Sequence, residues 1–374
     1  MPSEYQKLME DVNPLKKEPV PVKGYRLTWK SMEGKKYLKA YEEKIKDFTE
    51  RKMLPSKYFS APLGVQLELT NACNLKCIQC YNNSAKKLPD ELTISEWVDI
   101  IKKLGKMRIF ECVISGGEPL LLGEGLFTIM EALSEYDILI LFITNGWLLD
   151  RDIFKRLKNY SYQQIQISID GSTPEIHDEI RGIKGSWERA VYAAKMVADS
   201  GIPLVIAHTL MNKNFYELPQ MIDLAAEIGA IEFITEEAVF TGRAALIYKD
   251  LKLKEEQRKE FYEIIESKSR EYINCMAVRL SIDPALSLRI MRLEPNKGYI
   301  IRPSGNVRLD CTAPFKLGNI RKNSLEEIWK VGRRAWQDER VDRFIEHVQT
   351  NDDLIRFEDT IPFVTEDISI EEEL

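Results

Sequence analysis

Long apolar runs are missing from this sequence of 374 residues. The most apolar stretch, Ile138 to Ile143, is far too short to cross a bilayer. The first 60 residues are polar and lysine-rich, without the apolar core of a signal peptide. Cysteine is scarce as well: there are six, three of them within eight positions, which excludes a secreted disulfide framework. A dense basic block is also lacking. Residues 1–60 carry 14 Lys/Arg against nine Asp/Glu, but the signs alternate, as on a solvated helical face. These absences predict a protein of the reducing cytoplasm, with neither membrane nor nucleic acid as partner.

The composition is that of an ordinary globular protein, 44% hydrophobic and 30% charged. Its length suggests two or three domains with a sizeable core. Residues 1–60 hold Pro14, Pro19 and Pro21, then a helical pattern from about Lys35 to Lys52 with Tyr37, Tyr41, Ile45 and Phe48 in register. They read as an N-terminal extension packed on the main domain. At the other end, residues 351–374 carry one Arg against nine acids, so 346–374 reads as an acidic, disordered tail.

The informative stretch is Thr70-Asn71-Ala72-Cys73-Asn74-Leu75-Lys76-Cys77-Ile78-Gln79-Cys80-Tyr81. Three thiolates spaced C-x3-C-x2-C can hold three corners of a cubane iron–sulfur cluster and leave the fourth iron open to a small molecule. A structural zinc site wants four closed ligands, and no fourth Cys or His lies nearby. A disulfide with one spare thiol is the remaining reading.

From Val65 the pattern becomes strand, loop, helix, repeated. Strands are expected near Val65, Ile109, Ile138, Gln163, Leu204 and Ile231. The first helix opens on a capping box, Thr93-x-x-Glu96, and ends at Gly105; others run from Ser186 to Gly201 and from Glu217 to Gly229. Six such units predict parallel strands with outer helices, as an open doubly wound sheet or a partial barrel, with function at the C-terminal strand ends. The polar motifs obey that rule. Ser115-Gly116-Gly117-Glu118-Pro119, Thr144-Asn145-Gly146 and Ser168-Ile169-Asp170-Gly171 all fall there. Along the fourth strand Ile165, Ile167 and Ile169 alternate with Gln166, Ser168 and Asp170, whereas a buried parallel strand is apolar on both faces. That polar face marks a site, which Gln66, Glu68 and His208 are placed to join, with a hydrogen-bonded core histidine as the other reading of His208. The two glycines suit a close approach of backbone to a ligand, and the Glu118 carboxylate suits an ammonium group.

The cysteine loop, Gly116-Gly117-Glu118-Pro119, Thr144-Asn145-Gly146 and Gln166 to Gly171 together resemble the radical S-adenosylmethionine (SAM) enzymes. His177-Asp178-Glu179-Ile180-Arg181-Gly182 and Gly242-Arg243-Ala244 resemble the branch with a SPASM or twitch extension, which modifies peptides and proteins. The resemblance covers roughly 63–245 and, more loosely, 297–330. It implies an α/β fold: a partial (β/α)6 TIM-like barrel at 61–245 and a small α+β SPASM/twitch-like domain at 246–345. It implies a [4Fe–4S] cluster on Cys73, Cys77 and Cys80 that chelates SAM. Gly116, Gly117 and Glu118 would hold the methionine amino group, with Asn145, Ser168 and Asp170 near the ligand and Arg181 on its carboxylate. The substrate would be a peptide or protein, or a small molecule, and a flavodoxin or ferredoxin would supply electrons. One departure is Gln79, where the family often has an aromatic residue; Tyr81 follows the third cysteine instead.

Beyond Gly242 the sequence predicts a helix from about Lys254 to Ile273, then a hairpin of Tyr299–Arg302 and Val307–Leu309 turning at Pro303-Ser304-Gly305-Asn306, and a helix capped by Ser324-x-x-Glu327. SPASM/twitch domains usually place several cysteines around such a hairpin. Here there are only Cys275 and Cys311, with Cys112 in the second strand, so a single cluster is expected. Cys311 and Cys275 become candidate catalytic hydrogen-atom donors, against the reading of each as an unreactive thiol.

Overall fold

The computed structural model describes residues 59–281, 284–293, 295–354 and 368–370, with isolated positions between 35 and 46. Lys35, Lys39, Glu42, Glu43 and Lys46 are helical and exposed, as expected; the rest of the N-terminal extension and most of the acidic tail lie outside the described residues.

Six strands lie where the sequence places them. They are β1 (Gly64–Glu68), β2 (Glu111–Ser115), β3 (Leu139–Thr144), β4 (Tyr162–Ser168), β5 (Leu204–Leu210) and β6 (Glu232–Glu237). They pair in sequence order and all in parallel. The connecting helices are α1 (Ile94–Met107), α2 (Glu124–Ser134), α3 (Arg151–Leu157), α4 (Pro174–Arg181), α5 (Ser186–Ala198) and α6 (Leu218–Ile228). The Thr93 capping box is formed in full, satisfying two donors at the start of α1. α1 runs two residues past Gly105, which packs on the Tyr136 ring, and closes at Arg108, whose left-handed backbone (φ +60°) lets its N–H donate to Gly105 O at 3.0 Å.

The choice between a doubly wound sheet and a barrel follows from the two faces of β4. Ile165, Ile167 and Ile169 are fully buried in the same core as the inward faces of α1, α2, α5 and α6. Burying each contributes roughly 1.5–3 kcal/mol, and a one-residue slip would bury Gln166 and Ser168 in their place. The other face lines a cavity through Gln66, Gln166, Ser168 and His208. With helices on one side and the cavity on the other, the strands form a partial barrel.

The sheet continues beyond residue 245. After α7 (Glu255–Glu271), β7 (Ala277–Leu280) adds in parallel to β6. After α8 (Pro284–Leu293), β8 (Gly298–Ile301) adds in parallel to the opposite edge, beside β1. The expected hairpin then forms between β8 and β9 (Asn306–Arg308), and β10 (Phe315–Asn319) extends it. The chain goes on through α9 (Leu325–Ala335), with its Ser324/Glu327 capping box, and α10 (Glu339–His347) to β11 (Ile368–Ser369) beside β10. The result is one open sheet of eleven strands, ordered β11-β10-β9-β8-β1-β2-β3-β4-β5-β6-β7.

Candidate active site

The cavity inside the strands has a volume of about 490 Å³, and Cys73, Cys77 and Cys80 all face it. A larger open groove of about 1020 Å³, between Asp150, Asp178, Arg189 and Tyr192, lies outside the strands and holds none of the cysteines.

The cysteine loop is built by contacts on three sides. On the first, the Gly117 N–H donates to Thr70 O at 2.6 Å and the Glu118 N–H to Ala72 O at 2.9 Å. A Cβ on Gly117 would stand 2.1 Å from Ala72 O. These glycines therefore admit the cysteine loop as well as lining the cavity where the sequence expects a ligand. On the second side, Lys76 and Ile78 donate their N–H groups to Arg181 O and Ile180 O, both at 3.0 Å, so the end of α4 zips onto the loop. On the third, Arg243 clamps it. Its Nε donates to Cys77 O at 2.8 Å, Nη1 to Asn83 Oδ1 at 3.1 Å and Nη2 to Ser84 O at 3.0 Å. The neighbouring Gly242 has φ +55°, and its Cβ would meet Tyr81 O at 2.3 Å.

Asp170 and Arg181 hold each other. Arg181 Nε lies 2.8 Å from Asp170 Oδ2, and its Nη1 donates to Cys77 Sγ at 3.7 Å. Gln79 Nε2 donates to the same Asp170 oxygen, and the Thr209 N–H donates to Oδ1 at 2.8 Å. Asp170 is fully buried and does not line the cavity; Ser168 and Arg181 do. The position where an aromatic residue is usual thus serves the carboxylate network. Tyr81 donates to Glu68 Oε1 at 3.0 Å, and Arg302 donates to Asn82 Oδ1 at 2.6 Å, which ties the C-terminal hairpin to the loop.

Glu118 is likewise fully buried and does not line the cavity. Its carboxylate accepts from Thr144 Oγ1 (2.8 Å), the Asn145 N–H (2.9 Å) and the Leu120 N–H (3.1 Å), so it fastens the end of β2 to the end of β3. Burial pushes its carboxyl up to about 7, although these hydrogen bonds pull the other way. Asn145, Gly116 and Gly117 do line the cavity, and Asn145 Nδ2 lies 3.9 Å from Cys73 Sγ. His208 is held at both ring nitrogens, by Thr235 Oγ1 at 2.9 Å and Asn214 Nδ2 at 3.1 Å, and burial pulls it down to about 4. It is a neutral wall residue.

The donor set fits a cubane cluster. Burial pushes the Cys73 thiol up to about 12 and raises Cys77, which only the Arg181 charge beside it offsets in part. Thiols so placed ionise when a metal supplies positive charge. Among the described residues no three ligating groups converge on one ion, as a closed zinc site requires; in a cubane each cysteine takes its own iron. Among the described residues, three buried polar atoms of the loop, Asn74 Nδ2, Gln79 Oε1 and Ser84 Oγ, have no hydrogen-bond partner. Gln79 and Ser84 line the cavity, where a bound cofactor can satisfy them.

The remaining cysteines are scattered. Cys112 is fully buried in β2. Cys275 is exposed on the turn after α7, its thiol on Tyr272 O at 3.6 Å, and does not line the cavity. Cys311, after β9, opens onto the cavity. The structure therefore separates the two candidate donors. The clamp on the cysteine loop and the roles of Gln79 and Arg302 were not readable in the sequence; Gly242-Arg243-Ala244 was a motif without a function.

Comparison with known proteins fits this geometry. Residues 67–225 match the model of the Radical SAM superfamily. Mycofactocin maturase MftC of Mycolicibacterium smegmatis is 32% identical over 209 residues, covering 56% of this chain and 53% of that protein. The subtilosin biosynthesis protein AlbA of Bacillus subtilis is 30% identical over 298 residues, 78% of this chain and 65% of that one. The chain thus spans about half the length of the first of these relatives. Streptococcus suis SuiB bound to S-adenosylmethionine superposes with a TM-score of 0.61 at 16% identity, over 77% of this chain and 70% of that one. No helix among the described residues is long and apolar enough to cross a membrane.

Proposed function

Since residues 67–225 match the model of the Radical SAM superfamily, we propose that this protein is a radical SAM enzyme that abstracts hydrogen from a peptide or protein substrate. The observation that carries the reading is the opening of all three loop cysteines onto one cavity walled by the polar ends of the strands. Cys73, Cys77 and Cys80 would hold a [4Fe–4S] cluster, which with SAM supplies reductive cleavage to methionine and a 5′-deoxyadenosyl radical. Arg181 sets a fixed positive charge beside Cys77, and Arg243 and α4 hold the loop to a single shape. Ser168, Asn145 and the Gly116–Gly117 backbone present polar groups to the ligand, and Glu118 keeps the Asn145 turn in place. Cys311 presents a thiol to the same cavity and serves as hydrogen-atom donor to a substrate radical.

A peptide substrate is supported by what the relatives are named for: a mycofactocin maturase, a bacteriocin biosynthesis protein and a PqqA peptide cyclase. On this reading residues 61–245 do the radical chemistry and 246–345 act as a SPASM/twitch-like unit that closes the cavity with Cys311. A flavodoxin or ferredoxin in the cytoplasm would supply the electrons. The test is anaerobic reconstitution with iron and sulfide, followed by SAM and a strong reductant. Brown protein that forms 5′-deoxyadenosine is expected. Tight zinc uptake with no iron–sulfide and no SAM cleavage would overturn the reading.

A further inference from the structure

The clamp on the cysteine loop belongs to residues 238–243, the segment that follows β6, and this segment touches the loop at several points. Besides the Arg243 side chain on Cys77 O, the Arg243 N–H donates to Cys80 O at 2.9 Å and Thr241 Oγ1 to Tyr81 O at 3.4 Å. Two of the three cysteines thus have their backbone carbonyls held from one segment. The same segment builds a small apolar cluster separate from the main core. In it Ala238, Phe240 and Ala244 join Ile180 of α4, with Ile78 of the cysteine loop packed against them. So small a cluster buries little apolar surface, and its shape depends on further fastening.

That fastening comes from the other end of the chain. Residues 348–354 follow α10 and fall where the sequence reads as a disordered acidic tail, yet Val348, Asn351 and Leu354 are buried. Asn351 Nδ2 donates to Ala238 O at 2.7 Å, and its Oδ1 accepts the Phe240 N–H at 3.4 Å. One carboxamide therefore bridges the two sides of Val239, as a neighbouring strand would. Ala238 and Phe240 are fully buried, so these backbone groups need a partner from the protein. Val239, between them, lines the cavity. The segment that carries Asn351 is anchored in turn: Arg289 Nη1 donates to Val348 O at 3.1 Å, and Asp352 pairs with Lys252.

We propose that Asn351 is a positioning residue for the cluster. By bracketing Val239 it fixes the segment that carries Arg243, and through Arg243 it fixes Cys77 and Cys80. This rests on the reading of the loop cysteines as cluster ligands. Cys73 stands outside this path, since its N–H donates to Ala85 O at 3.0 Å. Without the Asn351 amide, two corners of the site loosen while the third keeps its place. Groups that orient metal ligands in this way typically change metal affinity by about 10–100-fold when removed.

A double-mutant cycle on cluster stability tests the path. Wild type, Asn351→Ala, Arg243→Ala and the double variant are reconstituted anaerobically, and iron loss to bathophenanthroline disulfonate is timed without SAM. Each single variant should lose iron about tenfold faster than wild type. The double variant should lose it no faster than Arg243→Ala alone, because effects along one path do not add. A wild-type rate in Asn351→Ala, or effects that multiply in the double variant, overturns the proposal. Hydrogen exchange in the cluster-free full chain gives a second reading. Asn351→Ala should speed exchange in residues 77–84 and leave β1 at its wild-type rate. Equal acceleration in both, or none in either, also overturns the proposal. Should Asn351→Ala fail to fold, Asn351→Asp, which keeps the shape and the acceptor but loses the amide donor, carries both measurements. Wild type that takes up no iron–sulfide removes the cluster reading beneath the proposal, whatever the exchange rates.

Discussion

Arg181 Nε lies 2.8 Å from Asp170 Oδ2, and the same guanidinium reaches Cys77 Sγ. One buried cation thus serves a carboxylate at the end of β4 and a thiol of the cysteine loop. Gln79 donates to the carboxylate too, so the loop and the barrel wall share one hydrogen-bonded knot.

Removing the carboxylate should therefore strand a buried charge. Asp170→Asn is expected to destabilise the protein by on the order of 3 kcal/mol, since breaking a buried pair leaves one ion uncompensated. Anaerobic denaturant unfolding measures this. A loss within the scatter of surface substitutions would show that Arg181 finds another partner.

Glu118 gives the stability a pH dependence of its own. Burial disfavours its carboxylate, so folding takes up a proton between about 4.5 and about 7. Its contribution is fully present below pH 4.5 and is lost as the pH rises through 7, a swing of about 3 kcal/mol. In cluster-free protein, Glu118→Gln should flatten the stability profile across that window. An unchanged slope would mean that the carboxyl titrates normally in its buried place.

A single cluster is expected, because Cys112, Cys275 and Cys311 lie on separate elements. The Cys73/Cys77/Cys80 triple-alanine variant should hold almost no iron after anaerobic reconstitution, and Cys77→Ala alone should abolish the cluster. About four irons retained in the triple variant would reveal a second one.

Gly242→Ala should cost roughly 1–3 kcal/mol, from the left-handed backbone it would strain and from its contact with Tyr81 O. Reconstituted iron should fall with it, because the Arg243 clamp is displaced. Normal iron content in a destabilised Gly242→Ala protein would separate the clamp from cluster binding.

Cys311→Ser should lose modified product while Cys275→Ser retains it, since only the former faces the cavity. Product from the relatives' class of precursor peptides is the readout. Equal loss in both would argue for a structural role of either thiol.

Much of this was legible because parallel strands put their loops at one end. The three cysteines, Gly116-Gly117, Asn145, Ser168 and Arg181 converge as strand order dictates, and the alternation along β4 named the face that lines the cavity. Pairing among candidates was not legible. Asp170 and Arg181 both look like ligand contacts, and nothing in their spacing says that they satisfy each other. Glu118 reads as a carboxylate offered to a ligand's ammonium group, yet three donors draw it into the wall. β7 alternates Val278 and Leu280 with Ala277 and Arg279, but at four residues the run is too short to stand out as a strand.

The position of β1 bears on how the protein is made. β1 carries the cysteine loop at its end, and it is flanked by β2 on one side and β8 on the other. Its second neighbour begins at Gly298, more than 200 residues later in the chain. A ribosome has therefore released the three cysteines long before the strand beneath them has both its partners. Pairing over such a separation is slow. Iron and sulfide delivered early would meet a loop without its final footing, so cluster insertion belongs after translation has passed the C-terminal hairpin.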